Sequence, residues 1–252
     1  MGCLHDGHLT LIKKGRLDNA TLIASVFVNP TQFGSTEDFK IYPQDIEADL
    51  CKLDDQGVDI VFMPCVQEMY PAGFDTYVDV GQIASRLEGQ YRPEHFRGVA
   101  TIVSKLFSIF QPTRAYFGQK DFQQSLVIKH VSKDLNLNVD VVVVSTARES
   151  DGLAFSSRNS YLKKDERVAA TVLYKALTGA IKLYESGLLD VASIRNEITR
   201  TIESEPLAMI DYVSISDAQT LVELKQIDRQ AVAAVAVRFG ETRLLDNVYF
   251  DY

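Results

Sequence analysis

Two of the four histidines in this chain, His5 and His8, lie three residues apart with a glycine between them. Apolar residues with the spacing of a short amphipathic helix follow this pair: Leu9, Leu11 and Ile12. Asp6 can cap that helix, and the unpaired N–H groups at a helix start attract phosphate. Gly7 lets an anion approach the backbone closely, and residues three apart can face the same anion. The pattern indicates phosphate binding, and a capped helix with two surface histidines is the alternative.

A lysine near the middle of the chain also has a position that suits phosphate chemistry. Lys120 follows a predicted strand over residues 115–117 and precedes a predicted helix, where Asp121 and Gln124 have capping-box-like spacing. The charge of Lys120 can stabilise negative charge that grows on a phosphorus centre during displacement. Taken alone, the position favours a solvated surface lysine over a phosphate ligand.

A polar loop at residues 156–159 offers further donors to a polyphosphate. Ser156 and Ser157 provide hydroxyl and backbone groups, and Arg158 can clamp a leaving diphosphate in a bidentate way. A plain turn at a domain junction is the alternative. The chain has no Gly-x-x-x-x-Gly-Lys loop and no Gly-x-Gly-x-x-Gly fingerprint, so phosphates must be held in another way.

Metal binding has less support in the residue pattern. A zinc site at His5 and His8 lacks a clear third ligand, because the three cysteines are isolated from one another. Asp49 lies on a predicted helix. It is either an ordinary solvated carboxylate or a residue that helps to hold Mg²⁺ near phosphates.

Alternating strands and helices must position these side chains. Near-continuous apolar runs predict strands buried on both faces, and periodic segments between them predict helices. The predicted strands cover residues 21–28, 58–63, 77–80, 115–117 and 139–145, and predicted helices cover 43–56 and 99–110. The first strand ends at Asn29, and Gln32 follows in a loop at the carboxyl end, where open α/β sheets bind ligands. The alternation favours βαβ units.

Beyond residue 145 the pattern changes to helices followed by adjacent strands. The predicted helices cover residues 163–186 and 190–203, and the predicted strands cover 210–215, 231–238 and 242–248. We therefore predict the α/β class, with a Rossmann-like doubly wound parallel sheet in residues 1–146 and a smaller α+β domain in residues 147–252.

The composition restricts the classes of partner and the compartment. The chain is 46% hydrophobic and 24% charged, as expected for a globular protein, and its net charge of −8 argues against a general nucleic-acid binder. No apolar run is long enough to span a membrane. The three cysteines are an odd number without a Cys-x-x-Cys pair, which predicts reduced thiols and a cytoplasmic protein.

Several stretches together resemble one family, the pantoate–β-alanine ligases of the nucleotidylyltransferase superfamily. His5, Asp6, Gly7 and His8 look like the His-x-Gly-His signature of that superfamily. The stretches that carry the family resemblance are residues 1–8, 27–34, 47–50, 92–99, 116–124 and 148–159. They occur in order along the chain, so the set is far more specific than any single motif.

The resemblance implies a two-step reaction with ATP and Mg²⁺. The carboxylate of pantoate attacks the α-phosphorus of ATP, which gives pantoyl adenylate and diphosphate. The amine of β-alanine then attacks the activated acyl carbon, which gives pantothenate and AMP. The implied catalytic residues are His5, His8, Lys120 and Arg158. The residues 1–146 would bind ATP and pantoate, and residues 147–252 would form a lid.

Other site residues follow from the resemblance motif by motif. The implied ATP contacts are Met1, His5, His8, Gly118, Lys120, Asp121, Ala147, Ser156, Ser157 and Arg158. Gln32 and Gln124 would bind pantoate, Asn29 and Arg92 would lie near the acyl and amine substrates, and Asp49 would help to hold Mg²⁺. The resemblance also implies a homodimer and only small-molecule substrates.

Two expectations concern what the resemblance leaves open. Family members have a strand directly before the segment that matches Met1, so we expect one more sheet strand to lead into His5. On that basis either Met1 is an internal methionine of a longer protein or the chain is weakly active.

The alternative functions are another adenylyltransferase of the superfamily, acting on a phosphate-bearing substrate, and a non-catalytic relative.

Overall fold

The computed structural model describes residues 2–34 and 38–252, and the chain divides into two compact units, Met1–Ser145 and Thr146–Tyr252. The helices and strands of the first unit are α1 (Asp6–Asp18), β1 (Ile23–Ser25), α2 (Ile46–Asp55), β2 (Ile60–Phe62), α3 (Val66–Met69), α4 (Glu88–Tyr91), α5 (His95–Phe110), β3 (Arg114–Gly118), α6 (Phe122–Asp134) and β4 (Asp140–Val144). Within the described residues, no helix is both long and apolar enough to cross a membrane.

The strands of the first unit pair in parallel, which confirms the predicted βαβ organisation. Ile23 in β1 lies opposite Ile60 in β2, and Arg114 in β3 lies opposite Asp140 in β4. Among the described residues these strands form two separate two-stranded sheets rather than one four-stranded sheet. The apolar run 21–28 is a strand over three residues only, because β2 offers it a ladder partner over three residues only. The expected strand before His5 stays a prediction.

Three local predictions in this unit were wrong. Asp6 is the first residue of α1 and His5 is the cap, so the cap lies one residue earlier than expected. The α2 helix begins after Asp45, whose carboxylate accepts from the Ala48 N–H at 3.0 Å, and not at Pro43. Residues 77–80 form no strand, since the Val78 N–H donates to the Thr101 hydroxyl instead of to a neighbouring strand.

Two apolar clusters hold the elements of the first unit together. One contains Leu4, Ile12, Ala24 and Leu53, so it joins the chain before α1 to α1, β1 and α2. The second cluster joins α5 and α6 around these buried residues: Met69, Val99, Ile102, Val103, Phe107 and Ile128. Burial of these side chains holds the helices of this unit against its strands.

The second unit has helices packed on an antiparallel sheet, as the sequence predicts. Its elements are α7 (Lys164–Ala169), α8 (Val172–Glu185), α9 (Val191–Glu203), β5 (Ala208–Asp217), β6 (Ala231–Phe239) and β7 (Thr242–Phe250). The sheet order is β5-β6-β7, and both pairings are antiparallel. The single helix predicted over 163–186 is broken before Val172. The Thr171 hydroxyl donates to the Val168 carbonyl at 2.8 Å there, which competes with the helical ladder.

Candidate active site

Two side chains of α2 anchor the residue that precedes the histidine pair. The backbone N–H of Leu4 donates to Oδ1 of Asp49 at 2.6 Å, and Nζ of Lys52 donates to the Leu4 carbonyl at 2.6 Å. Leu4 and Asp49 are both buried. Both backbone polar groups of Leu4 are therefore hydrogen-bonded, which fixes the position of the backbone directly before His5.

His5 and His8 lie against each other at the start of α1, with ring centroids 4.0 Å apart. Burial, followed by the positive charge of Lys120, lowers the pKa of His5 to about 4. Burial, followed by the neighbouring His5, lowers the pKa of His8 to about 3. The backbone N–H of His5 donates to Nδ1 of His8 at 3.3 Å. Neutral His8 therefore carries its proton on Nε2, which can donate to a phosphate oxygen.

These two pKa values predict that the histidines reduce folding stability as the pH falls below about 6.5. The unfolded chain takes up protons near a pKa of about 6.5, whereas the folded chain does so near 4 and 3. Between these values protonation favours the unfolded state, so the penalty is absent above pH 6.5 and grows down to pH 3–4. We expect the melting temperature of the parent to fall more steeply between pH 7 and pH 4 than that of His8→Gln. A constant difference between the two proteins would contradict the lowered pKa.

Lys120 lies directly after the carboxyl end of β3, in a 3₁₀ turn formed by Gln119–Asp121. Its Nζ is 3.7 Å from Oδ1 of Asp121, and its side chain is only 19% exposed. The field of Lys120 reaches both His5 and His8 and lowers the pKa of each. The ammonium is thus largely covered and close to the histidine pair, which is unlike a solvated surface lysine.

Asn29 is buried at the centre of a hydrogen-bond network after β1. Its Oδ1 accepts from the Tyr70 hydroxyl at 2.8 Å and from the N–H of Thr31 at 3.3 Å. Its Nδ2 donates to Oε1 of Gln32 at 3.2 Å and to the Gly98 carbonyl at 3.1 Å. Burial raises the pKa of Tyr70, so its hydroxyl stays protonated and remains a donor. Both polar atoms of the Asn29 amide are therefore hydrogen-bonded within the protein, and one of these bonds holds Oε1 of Gln32.

The start of α5 supports the same loop from the other side. A Cβ atom at Gly98 would lie 2.3 Å from the Thr31 carbonyl oxygen, so this close approach requires glycine. Nδ1 of His95 lies 2.8 Å from the Gln32 carbonyl, and Nη2 of Arg92 donates to that carbonyl at 3.3 Å. Nη1 of Arg92 also lies 3.3 Å from Nε2 of His95. Since arginine can only donate, Nε2 of His95 accepts and Nδ1 donates.

Two adjacent glutamines on α6 have different surroundings. Gln123 is buried, and its Nε2 donates to the carbonyls of Ile83 and Arg86 at 2.9 and 2.7 Å. Its Oε1 accepts from the N–H of Glu88 at 3.1 Å, so it holds the chain around α4. Gln124 is half-buried, and successive helical residues point about 100° apart. It remains the candidate for substrate binding.

The predicted phosphate loop lies in the second unit. Ser156 caps a 3₁₀ helix formed by Ser157–Tyr161, with its Oγ accepting from the N–H of Arg158 at 3.3 Å. The Ala147 carbonyl accepts from the N–H of Phe155 at 3.1 Å, which places Ala147 beside the start of this loop. The predicted polar loop is therefore a turn of 3₁₀ helix rather than irregular backbone.

A metal ion has few protein ligands available in this structure. Across residues 2–34 and 38–252, no three His, Cys, Asp or Glu side chains are grouped so as to hold one. Asp49 is buried and binds the Leu4 backbone, so the structure shows it in an anchoring role. The described residues do not form a protein-held Mg²⁺ site, and the assignment of Asp49 to Mg²⁺ stays a prediction.

The structure brings several of the predicted site residues together within each unit. His5, His8, Lys120 and Asp121 interact electrostatically, and Asn29, Gln32 and Arg92 share one hydrogen-bond network. Met1 lies outside the described residues, so its predicted contact with ATP stays a prediction. The sequence analysis missed Tyr70 and Gln123. Neither residue carries a local signal of its partners, since Tyr70 is a half-buried tyrosine before a proline and Gln123 is one of two adjacent glutamines.

The parallel βα units, the neutral histidine pair at the start of α1 and the covered lysine before α6 are together typical of an α/β enzyme of the nucleotidylyltransferase type. A family model described as Pantoate-beta-alanine ligase matches residues 1–249. The chain belongs to the pantoate–β-alanine ligase family, and its activity is the ATP-dependent ligation of pantoate and β-alanine.

Similar proteins of known name agree with this membership. A pantothenate synthetase from Herpetosiphon aurantiacus is 54% identical, over 98% of this chain and 90% of the relative. One from Dehalococcoides mccartyi is 53% identical, over 99% of this chain and 93% of the relative. The alternatives of a different adenylyltransferase or a non-catalytic relative are not favoured by these similarities.

Solved structures of the family have the same fold. The crystal structure of pantothenate synthetase from Thermus thermophilus has a TM-score of 0.96 and 46% identity, covering 98% of this chain and 90% of that chain. A pantoate–β-alanine ligase from Francisella tularensis, solved with "Beta-gamma ATP" and β-alanine, has a TM-score of 0.80 and 34% identity. That match covers 98% of this chain and 86% of the other. The α/β class with an antiparallel C-terminal sheet is thereby confirmed.

Proposed function

We propose that the ligation proceeds through pantoyl adenylate, with the start of α1 and Lys120 holding the phosphates of ATP. The observation that carries this proposal is the cluster of His5, His8 and Lys120. It combines neutral donors with one covered positive charge. A helix start and a lysine stabilise negative charge on a phosphoryl group without covalent chemistry by the protein.

The first step joins pantoate to the α-phosphorus of ATP. A carboxylate oxygen of pantoate forms the new P–O bond, and the bond to the β-phosphate oxygen breaks, so diphosphate leaves with the electron pair. Lys120 stabilises the charge on the α-phosphoryl oxygens, and His5 and His8 donate to phosphate oxygens. Gly118 and Asp121 lie on the adenosine side, beside Lys120 along the chain.

Pantoate is held by Gln32 and Gln124 in this proposal. Among the described residues, Asn29 accepts and donates within the network given above, and its Nδ2 donates to Oε1 of Gln32 at 3.2 Å. The Gln32 amide nitrogen is then oriented to donate to an oxygen of pantoate. Asn29 therefore acts through Gln32, and Arg92 acts on the same loop by binding the Gln32 carbonyl.

The second step joins β-alanine to the activated acyl group. The amine attacks the acyl carbon, the bond from that carbon to the AMP oxygen breaks, and the amine releases a proton to solvent. The Francisella tularensis relative was solved with "Beta-gamma ATP" and β-alanine, which supports both as substrates here. Ala147, Ser156, Ser157 and Arg158 of the second unit are proposed to bind ATP phosphates and to cover the site as a lid.

The products distinguish this mechanism from phosphoryl activation. With ATP, pantoate and β-alanine all present, we expect AMP and diphosphate in equal amounts with pantothenate. The reason is that the proposed displacement takes place at the α-phosphorus and that the chain lacks a Gly-x-x-x-x-Gly-Lys loop for the terminal phosphates. Separation of nucleotides by ion-exchange chromatography measures this directly. Stoichiometric ADP and phosphate would overturn the adenylate mechanism.

Further proposals concern the cation, the assembly and the compartment. We propose that Mg²⁺ arrives with the ATP phosphates, since the described residues provide few ligands for it. A homodimer through the first unit, a Rossmann-like sheet and a cytoplasmic location rest on the family resemblance, and the odd number of cysteines supports the last. Light scattering that gives a monomer mass at micromolar concentration, or a non-cytoplasmic fraction in cells, would contradict the assembly or the location.

A further inference from the structure

A short hairpin leads into the phosphate loop of the second unit. Arg148 and Ala154 form an antiparallel bridge, and the N–H of Glu149 donates to the Leu153 carbonyl at 2.8 Å. The turn between them is made by Gly152, whose φ of +93° favours glycine. A Cβ atom there would also lie 1.9 Å from Cδ1 of Tyr174. The hairpin is thus a rigid support that ends at the residue before Ser156.

The carboxylate of Glu149 ties this hairpin to the far end of the loop. Oε1 of Glu149 accepts from Nδ2 of Asn159 at 3.3 Å, and Oε2 accepts from Nη2 of Arg167 at 2.8 Å. Asn159 directly follows Arg158, and its Nδ2 also donates to the Ala154 carbonyl at 3.1 Å. Both ends of residues 156–158 are therefore fixed to the same hairpin.

Arg167 on α7 is itself held in place. Its Nη1 lies 2.9 Å from Oδ2 of Asp151 in the hairpin turn, and this contact, together with Glu149, raises the pKa of Arg167. The guanidinium therefore bridges two carboxylates of the hairpin. The side chains of Arg167 and Glu149 are 26% and 31% exposed, so their ion pair contributes little to global stability.

We propose that Glu149 is a positioning residue for the first chemical step: it holds Asn159 and thereby presents Ser156, Ser157 and Arg158 to the phosphates of ATP. This proposal rests on the proposed role of residues 156–158. A loop held in its working geometry needs no reorganisation as diphosphate leaves, and misplacement by about 1 Å can cost on the order of 100-fold in rate. The second step releases AMP rather than diphosphate, so it depends less on this loop.

The test measures the two steps separately in Glu149→Ala and Glu149→Gln. Pantoate-dependent exchange of labelled diphosphate into ATP reports the first step. Conversion of supplied pantoyl adenylate and β-alanine into pantothenate reports the second. We expect Glu149→Ala to slow the exchange by about 10- to 100-fold, with the second step within about twofold of the parent. The exchange rate of Glu149→Gln should lie between those of Glu149→Ala and the parent, since its amide oxygen can still accept from Asn159.

Glu223→Gln is the matched control in the same unit. The carboxylate of Glu223 also joins an arginine, Arg195, to a neutral donor, the Ser214 hydroxyl, but it links α9 to β5. Its loss should leave the exchange rate within about twofold of the parent. Melting temperatures of all variants should stay close to the parent value, as expected for partly exposed ion pairs.

The outcomes separate the positioning role from the role of the loop itself. If Arg158→Ala slows the exchange and both Glu149 variants leave it unchanged, Glu149 does not position the loop. If both steps of Glu149→Ala fall together with its melting temperature, its role is structural and the proposal is wrong. If Arg158→Ala leaves the exchange unchanged, the assignment of residues 156–158 to phosphate binding fails, while the AMP and diphosphate products would still stand.

Discussion

Replacing Lys120 with alanine is expected to raise the activation free energy of adenylate formation by roughly 3 kcal/mol, which lowers kcat by more than about 100-fold. The ammonium is largely covered beside the histidine pair, so its charge is best matched to the transition state, in which negative charge concentrates around the α-phosphorus. Pantoate binding should change much less, because the pantoate candidates Gln32 and Gln124 remain in place. Single-turnover kinetics measures the rate, and isothermal titration measures pantoate binding.

Two further measurements make the Lys120 result specific. Lys129→Ala removes an exposed lysine from α6 and should leave kcat within about twofold of the parent. Burial is the main cause of the low pKa of His5 and the charge of Lys120 adds to it, so in Lys120→Ala the pKa of His5 should rise above about 4, as followed by proton NMR. A Lys120→Ala rate within about twofold of the parent would show that Lys120 takes no part in the reaction.

Asp246→Asn is expected to cause the largest loss of stability among single charge removals in the second unit. Asp246 is buried and binds Arg148 through two hydrogen bonds, from Nη1 to Oδ2 at 2.5 Å and from Nη2 to Oδ1 at 2.9 Å. Arg148 is only 17% exposed, so removal of its buried partner leaves its charge largely uncompensated, which costs up to about 3–5 kcal/mol. Thermal and urea unfolding measure the change, and a fall in melting temperature on the order of 10 °C is expected.

A surface ion pair gives the control for this stability prediction. Asp228 and Arg229 form an exposed pair at 2.8 Å, and such pairs contribute at most about 1 kcal/mol. Asp228→Asn should therefore change the melting temperature by only a few degrees at most. If Asp246→Asn is no more destabilising than Asp228→Asn, the Arg148 charge is solvated without its partner and the argument from burial is wrong.

Local patterns in the sequence were sufficient to predict much of the second unit. The strands predicted over 231–238 and 242–248 lie within β6 and β7. Residues 231–237 of β6 are an uninterrupted apolar run, which a strand buried along its length shows whatever its partners are. The helix predicted over 190–203 is α9 with Asp190 as its cap, since the carboxylate that accepts from Ser193 lies three residues away.

The sequence alone also determined the family and the residue types of the candidate site. The histidine pair, Lys120 and the polar loop 156–159 were identified because donors suited to phosphate occur in short motifs, and several motifs in order are specific. The resemblance rested on stretches of adjacent residues, and adjacency is directly visible in a sequence.

Only the tertiary structure decided what these side chains contact. Asn29 binds Gly98 across 69 residues, Asp49 binds Leu4 across 45, and Arg148 binds Asp246 across 98. The low pKa values of His5 and His8 arise from burial, which depends on the packing of the whole unit. Hydrogen bonds and desolvation depend on distance in space and not on separation along the chain. For that reason the local sequence could not reveal that Asn29 binds the Gly98 carbonyl or that Asp49 binds the Leu4 backbone, and their proposed contacts with substrate and Mg²⁺ stay predictions.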